Sequence, residues 1–245
     1  MSVRTASATA ARVLTQLRRD PRTVALLLAV PVALVTLLKY VFAGEPVVFQ
    51  RIGGPLLGLF PFISMFVVTS ITMLRERSSG TLERLLTLPL AKLDVLVGYG
   101  AAFALVAAAQ AALVSAVAFG ALDLHTGGST WTVAALAIAN AELGMALGLL
   151  VSAFARTEFQ AVQFMPALVL PQMLLCGLLV SRDRMTRALQ IASDALPLTY
   201  SYDALARVTT GLPLGPRFAL DVSVTVGATL LALALGAATL RRRTP

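Results

Sequence analysis

Charge is what this chain has least of. Only 13% of its 245 residues are charged, where a soluble domain carries about a quarter. The shortage is uneven, because long stretches hold no charge and 58% of all residues are hydrophobic. Mean hydropathy is +0.83. Such a composition excludes an ordinary soluble globule and fits a chain whose solvent is lipid.

Other scarcities exclude particular chemistries. The single cysteine, Cys176, sits in an apolar run, so no intrachain disulfide is available. The single histidine, His125, lies beside Asp123 in a short stretch remote from the cysteine. It leaves no set of three or four metal ligands and no intramembrane Ser–His pair, and it reads as a solvated loop residue. There are two lysines, Lys39 after Leu38 and Lys92 after Ala91. A phosphate-binding P-loop needs G-x-x-x-x-G-K-[ST], and no Gly-Lys pair exists here. The sequence therefore offers no catalytic residues, no metal site and no cofactor site of its own.

What is present is apolar length. Six segments are long enough to cross a bilayer core of roughly 30 Å: 24–42, 55–74, 95–119, 131–154, 159–180 and 218–240. The expected fold is all-α and integral to the membrane. A tail of residues 1–23 precedes the six-span domain 24–240, and a basic tail, 241–245, follows it. The first span is expected to be retained, since its run of 19 apolar residues exceeds a signal-peptide core. An even number of spans puts both termini on one side. Thirteen arginines and lysines fall on that side and seven on the other, so both termini are expected in the cytoplasm and the protein in the cytoplasmic membrane. The net charge of +8 then reports topology, and no nucleic-acid role is needed to explain it.

Before the first span, "TAARVLTQLRRD" places Val13, Leu14 and Leu17 on one helical face and Arg12, Arg18 and Arg19 around the other. This predicts an amphipathic helix on the membrane surface, its arginines among lipid headgroups; a frayed basic tail is the alternative. The expected outer loops at 43–54 and 120–130 are short and glycine-rich, whereas 181–217 is long and contains two short helical patterns, separated by Pro197, that are expected to tuck back into the outer membrane surface as re-entrant helices. Pro166 and Pro171 predict a bend in the fifth span. "GPLLG" (54–58) and "GMALG" (144–148) match the small-xxx-small pattern of close helix packing, expected within the chain rather than between chains.

Between the second and third spans lies "MLRERSSGTLERLLTLPLAKLDV", with seven charges in 23 residues. Gly80 with Glu83 three residues on makes a weak capping arrangement, Leu82, Leu85 and Leu86 an apolar stripe, and Pro89 a stop. A two-turn helix is not stable alone and must dock on something. Balanced charge around a small apolar stripe fits a protein groove better than a membrane surface, which favours excess Lys and Arg.

"LRERSSGTLERLLTLPL" resembles the signature loop of ABC type-2 transporter permeases. "FMPALVLPQMLLCGLLVSRDRM" is similar to that family's Pro-rich fifth helix, and "ALPLTYSYDALARVTTG" to its stretch before the last span, with Ala206 intervening before Arg207. The resemblance implies a coupling helix that sits in a cleft of a separate ATPase subunit, with Glu76, Arg77, Gly80, Thr81, Glu83 and Arg84 at the matching positions. It further implies two ATPase subunits that hold ATP and Mg, and a second permease subunit, identical or related. The implied activity is export of an amphipathic drug or lipid by alternating access.

Two features remain. Phe62, Met65, Phe66, Gln163, Phe164 and Met173 lie on the second and fifth spans, which face the dimer axis in that family; they are expected either to line a substrate path or to be ordinary packing. Glu142 lies near the middle of the fourth span, where a charge costs several kcal/mol, so it must be protonated, paired or facing water. It serves either as a structural hydrogen-bonding group, with Gln110 or a backbone group as its partner, or as the carrier of a self-contained proton- or ion-coupled transporter.

Overall fold

The computed structural model describes residues 3–80 and 92–239, with the side chains of 4–80 and 97–239. All regular structure among the described residues is helical. In chain order the elements are α1 (Val3–Arg18), α2 (Pro21–Val41), α3 (Pro46–Ser78), α4 (Lys92–Gly120) and α5 (Thr130–Val151). A π-interrupted run follows: α6 (Glu158–Phe164), a π-helical stretch Met165–Val169, and α7 (Leu170–Leu175). After a 3-10 turn at Arg182–Arg184 come α8 (Arg187–Asp194), α9 (Pro197–Thr209) and α10 (Pro216–Ala238).

Five of these helices are long and apolar enough to cross a membrane: α2, α3, α4 from Val97, α5 and α10. The expected fifth span, 159–180, is not one continuous α-helix. Pro166 and Pro171 each lack an amide donor and crowd the carbonyl one turn back, and the backbone absorbs the first by widening into the π-helical stretch. The run Glu158–Leu175 is followed by a turn through Gly177, whose φ is +104°.

The most central element is α3. At 33 residues it spans about 50 Å at 1.5 Å per residue. It starts nine residues before the expected boundary, because Pro46 takes the first helical turn, where a missing amide costs nothing. Gly53 and Gly54 lie inside this helix rather than in a loop, packed against Leu124 and Thr209. Gly144 and Gly148 of α5 sit directly on the carbonyl oxygens of Phe62 and Phe66, where a Cβ would not fit. Both small-residue motifs are thus seams within one chain. Around this α3–α5 pair, α9 is inserted rather than laid on the surface. Leu198, Ser201, Ala204, Leu205 and Val208 are buried, and the Ser201 hydroxyl donates to Asn140 Oδ1 of α5 at 3.0 Å.

The periphery is apolar on its outer side. α2 buries Leu27, Pro31 and Val35, a stripe at intervals of four, and exposes Leu26, Val30, Leu34 and Leu37. Its first turn is capped by Asp20, which accepts from the Thr23 amide at 3.1 Å. Exposed leucines and valines on α2, α6–α7 and α10 make the surface that a bilayer would cover. α1 does not lie free on that surface. It packs on the start of α4, with Thr9 and Val13 buried.

Candidate functional site

The end of α3 is where the chain leaves the bundle for the charged segment. Successive helical residues point about 100° apart, so Arg75, Glu76 and Arg77 face three directions. Glu76 faces inward and is 8% exposed. Tyr99, fully buried near the start of α4, donates its hydroxyl proton to Glu76 Oε2 at 2.7 Å. Arg12 of α1 donates to the Tyr99 hydroxyl oxygen, lies 3.5 Å from Glu76 Oε2, and holds its guanidinium 5.4 Å from the Tyr99 ring centroid. One polar chain, Arg12 to Tyr99 to Glu76, therefore joins α1, α4 and α3.

Local sequence makes this contact possible. Gly98 offers no side chain, so α1 approaches α4 closely; a Cβ there would lie 2.5 Å from Thr9 Cβ and 2.7 Å from the Ala6 carbonyl oxygen. Arg12 is drawn toward the bundle by the same approach. Arg12, expected among lipid headgroups, is turned by the docking of α1 toward the nearly buried Glu76 carboxylate.

Arg75 faces the other way and makes a two-pronged contact with Glu158, Nε to Oε1 at 2.7 Å and Nη2 to Oε2 at 2.9 Å. Glu158 occupies the first turn of α6, where the helix dipole favours an anion, and Thr157 caps that turn by accepting from the Gln160 amide. Arg77 is half-buried, and its Nε has no hydrogen-bond partner among the described residues.

Gly80 has φ +69° and follows the C-cap Ser79. It is the left-handed residue that closes α3, a conformation glycine adopts without strain. The expected role of Gly80 as N-cap of a following helix concerns a segment beyond it, and Thr81, Glu83 and Arg84 lie outside the described residues.

The proposed path residues divide. Phe62 and Met65 are fully buried and Phe66 is 1% exposed, packed inside the single chain. In this arrangement they are core residues and do not form a surface that a second copy would share. Gln163 is exposed, and Phe164 and Met173 are half-buried, all on the π-interrupted run.

Glu142 is half-buried and borders an apolar groove of about 330 Å3 between α4, α5 and α10. No hydrogen bond or ion pair holds its carboxylate among the described residues. Gln110 is not its partner, since the Gln110 amide donates to the Leu27 carbonyl at 2.5 Å and ties α4 to α2. Among the described residues, no group of three His, Cys, Asp or Glu could hold a metal.

Sequence reasoning passed over Tyr99 and Glu158. A phenol beside a glycine in an otherwise apolar span was the available signal for Tyr99; for Glu158 it was the acid one residue after a Thr cap.

The family model described as ABC-2 type transporter matches residues 6–209, most of the chain. The probable multidrug ABC transporter permease YbhR of Escherichia coli K12 is 28% identical over 156 residues, which are 62% of this chain and 42% of that protein. The protein of the same description in Escherichia coli O157:H7 matches equally. The chain thus spans less than half the length of these relatives. From the family match and the bundle of apolar helices, the chain belongs to the ABC-2 type transporters, as a multi-pass membrane permease of a family whose permease subunits lack the ATPase domain.

Proposed function

We propose that the chain is the membrane subunit of an ABC exporter that moves an amphipathic drug- or lipid-like substrate across the cytoplasmic membrane. The observation that carries this reading is the clasp of Arg12, Tyr99 and Glu76. It fastens three helices together at the point where α3 runs into the charged segment. A push on that segment then moves α1, α3 and α4 as one body, which is what a coupling element requires.

In this account Glu76 and Arg77 anchor the end of α3, Gly80 is its pivot, and Thr81, Glu83 and Arg84 meet a separate ATPase subunit. Two such subunits, holding ATP and Mg, act on two permease copies, identical or related. The run Glu158–Leu175 has 18 residues, about 27 Å of helix, and serves as the sixth span. Six spans and the distribution of arginines put both termini in the cytoplasm. Gln163, Phe164 and Met173, on the least regular membrane segment, contribute to the substrate path. The description of the Escherichia coli relative as a probable multidrug permease supports a drug-like cargo.

A second reading is favoured by one observation. Glu142 borders an open groove without a partner, which suits a self-contained proton- or ion-coupled carrier. Transport in vesicles containing the chain with and without a reconstituted ATPase separates the two. The ABC reading expects transport only with ATPase and ATP. Transport driven by a proton gradient in the chain alone, lost in Glu142→Gln, would favour the carrier.

A further inference from the structure

At the end of the bundle opposite Gly80, the start of α3 and the elements α8, α9 and α10 border an open cleft of about 720 Å3. Five arginines line it: Arg51, Arg182, Arg187, Arg207 and Arg217. The lining acids are Asp183, Asp194 and Asp203.

The acids near the cleft are mostly spoken for. Arg182 binds Asp194 and, at 3.1 Å, Asp203; Arg217 lies 3.5 Å from Asp203 and 3.3 Å from Asp221. Arg217 is further held by the Tyr200 ring, 5.9 Å from its guanidinium, and the Tyr200 hydroxyl donates to the Asp194 carbonyl at 2.7 Å. This network fixes the walls. It leaves Arg51, Arg187 and Arg207 without an ion pair among the described residues, although Arg207 lies within electrostatic reach of Asp221. The Arg207 and Arg182 Nε groups are buried with no hydrogen-bond partner among the described residues. Buried guanidinium donors left unpaired are costly. Planar guanidinium forks bordering a shared cleft match the paired oxygens of an oxyanion such as a phosphate.

We propose that this cleft binds a phosphate-type anionic group through Arg51 and Arg207, with the Arg182–Arg217 network as its rigid wall. The open cleft of about 720 Å3 has room to spare for a phosphate and the glycerol-sized group attached to it. Two sources share this chemistry: the phosphodiester headgroup of a lipid in the adjoining leaflet, and a soluble phosphate ester. The inference does not depend on ATPase coupling, since it concerns only the end of the bundle remote from Gly80.

The test is equilibrium binding to the purified full-length chain in neutral detergent. Three probes are used: dioctanoyl phosphatidylglycerol, dioctanoylglycerol with the same tails and no phosphate, and glycerol phosphate. The expected result is saturable binding of the phosphatidylglycerol, weakened at least about tenfold in both Arg51→Gln and Arg207→Gln, because each removes a charge-assisted contact. Arg22→Gln, an exposed arginine at the start of α2, should bind like the wild type. Arg51 is exposed, so its substitution tests the site even where the half-buried Arg207 variant folds poorly. Glycerol phosphate binding as tightly as the lipid would identify a soluble ligand; binding of the lipid alone would identify a headgroup. Equal binding of the uncharged dioctanoylglycerol, unchanged binding in both arginine variants, or no saturable binding would overturn the proposal.

Discussion

Glu76 is a carboxylate held almost out of solvent by two donors on two other helices. Removing one member of such a set costs more than the hydrogen bond itself, because the partners stay buried. Glu76→Gln is expected to destabilise the chain by about 1–3 kcal/mol. Tyr99→Phe should cost a similar amount, since it deletes the hydroxyl that links Arg12 to Glu76. Thermal unfolding of the two single variants and the double variant in detergent checks this. A double variant no worse than either single one identifies a shared network, and full additivity would mean that the residues act separately. The importance of this region was legible from its charges. The clasp was not, because a helical wheel for α1 shows which residues are polar but not that Gly98 lets α1 close onto α4. The same wheel sent Arg12 to the headgroups.

Elements of this fold were legible where length and hydropathy decide, and less so where packing does. The cores of α2, α4, α5 and α10 fall within the expected spans because a bilayer demands about 20 apolar residues whatever the neighbours. The early start of α3 was hidden by Gly53 and Gly54, which read as loop residues on helix propensity alone. They are helical because Leu124 and Thr209 occupy the space their side chains would fill. The same logic governs the α3–α5 seam. Gly144→Ala places a methyl against the Phe62 carbonyl oxygen and forces two central helices apart. The expected cost is about 1–3 kcal/mol, read as a lower unfolding temperature in detergent. Gly100, with open space where a Cβ would go, is the control: Gly100→Ala should leave that temperature unchanged or raise it slightly. A Gly144→Ala variant as stable as the wild type would show that the seam has slack.

At the scale of the whole molecule, most charged groups among the described residues collect at the two ends of an apolar bundle, with Glu142 set within it. One end carries Arg12, Arg75, Glu76 and Arg77 beside the charged segment; the other carries the arginine-lined cleft, and α3 runs between them. The membrane class and the general architecture followed from the missing charge, and the family from the charged-loop motif supported by the Pro-rich fifth segment and the stretch before the last span. The packing of Phe62, Met65 and Phe66 inside the chain was one of two readings their sequence allowed, and their central position in the bundle is what buries them. The central claim, that a separate ATPase acts through the segment beyond Gly80, is tested most directly by isolating the tagged chain from its native membranes and assaying ATP hydrolysis that comes with it. Glu83→Arg and Gly80→Pro are run alongside; proline cannot adopt the φ of +69° that closes α3. The account predicts ATPase activity with the wild type that is lost or uncoupled from transport in both variants. Wild-type preparations without ATPase, together with proton-driven transport by the chain alone, would contradict it.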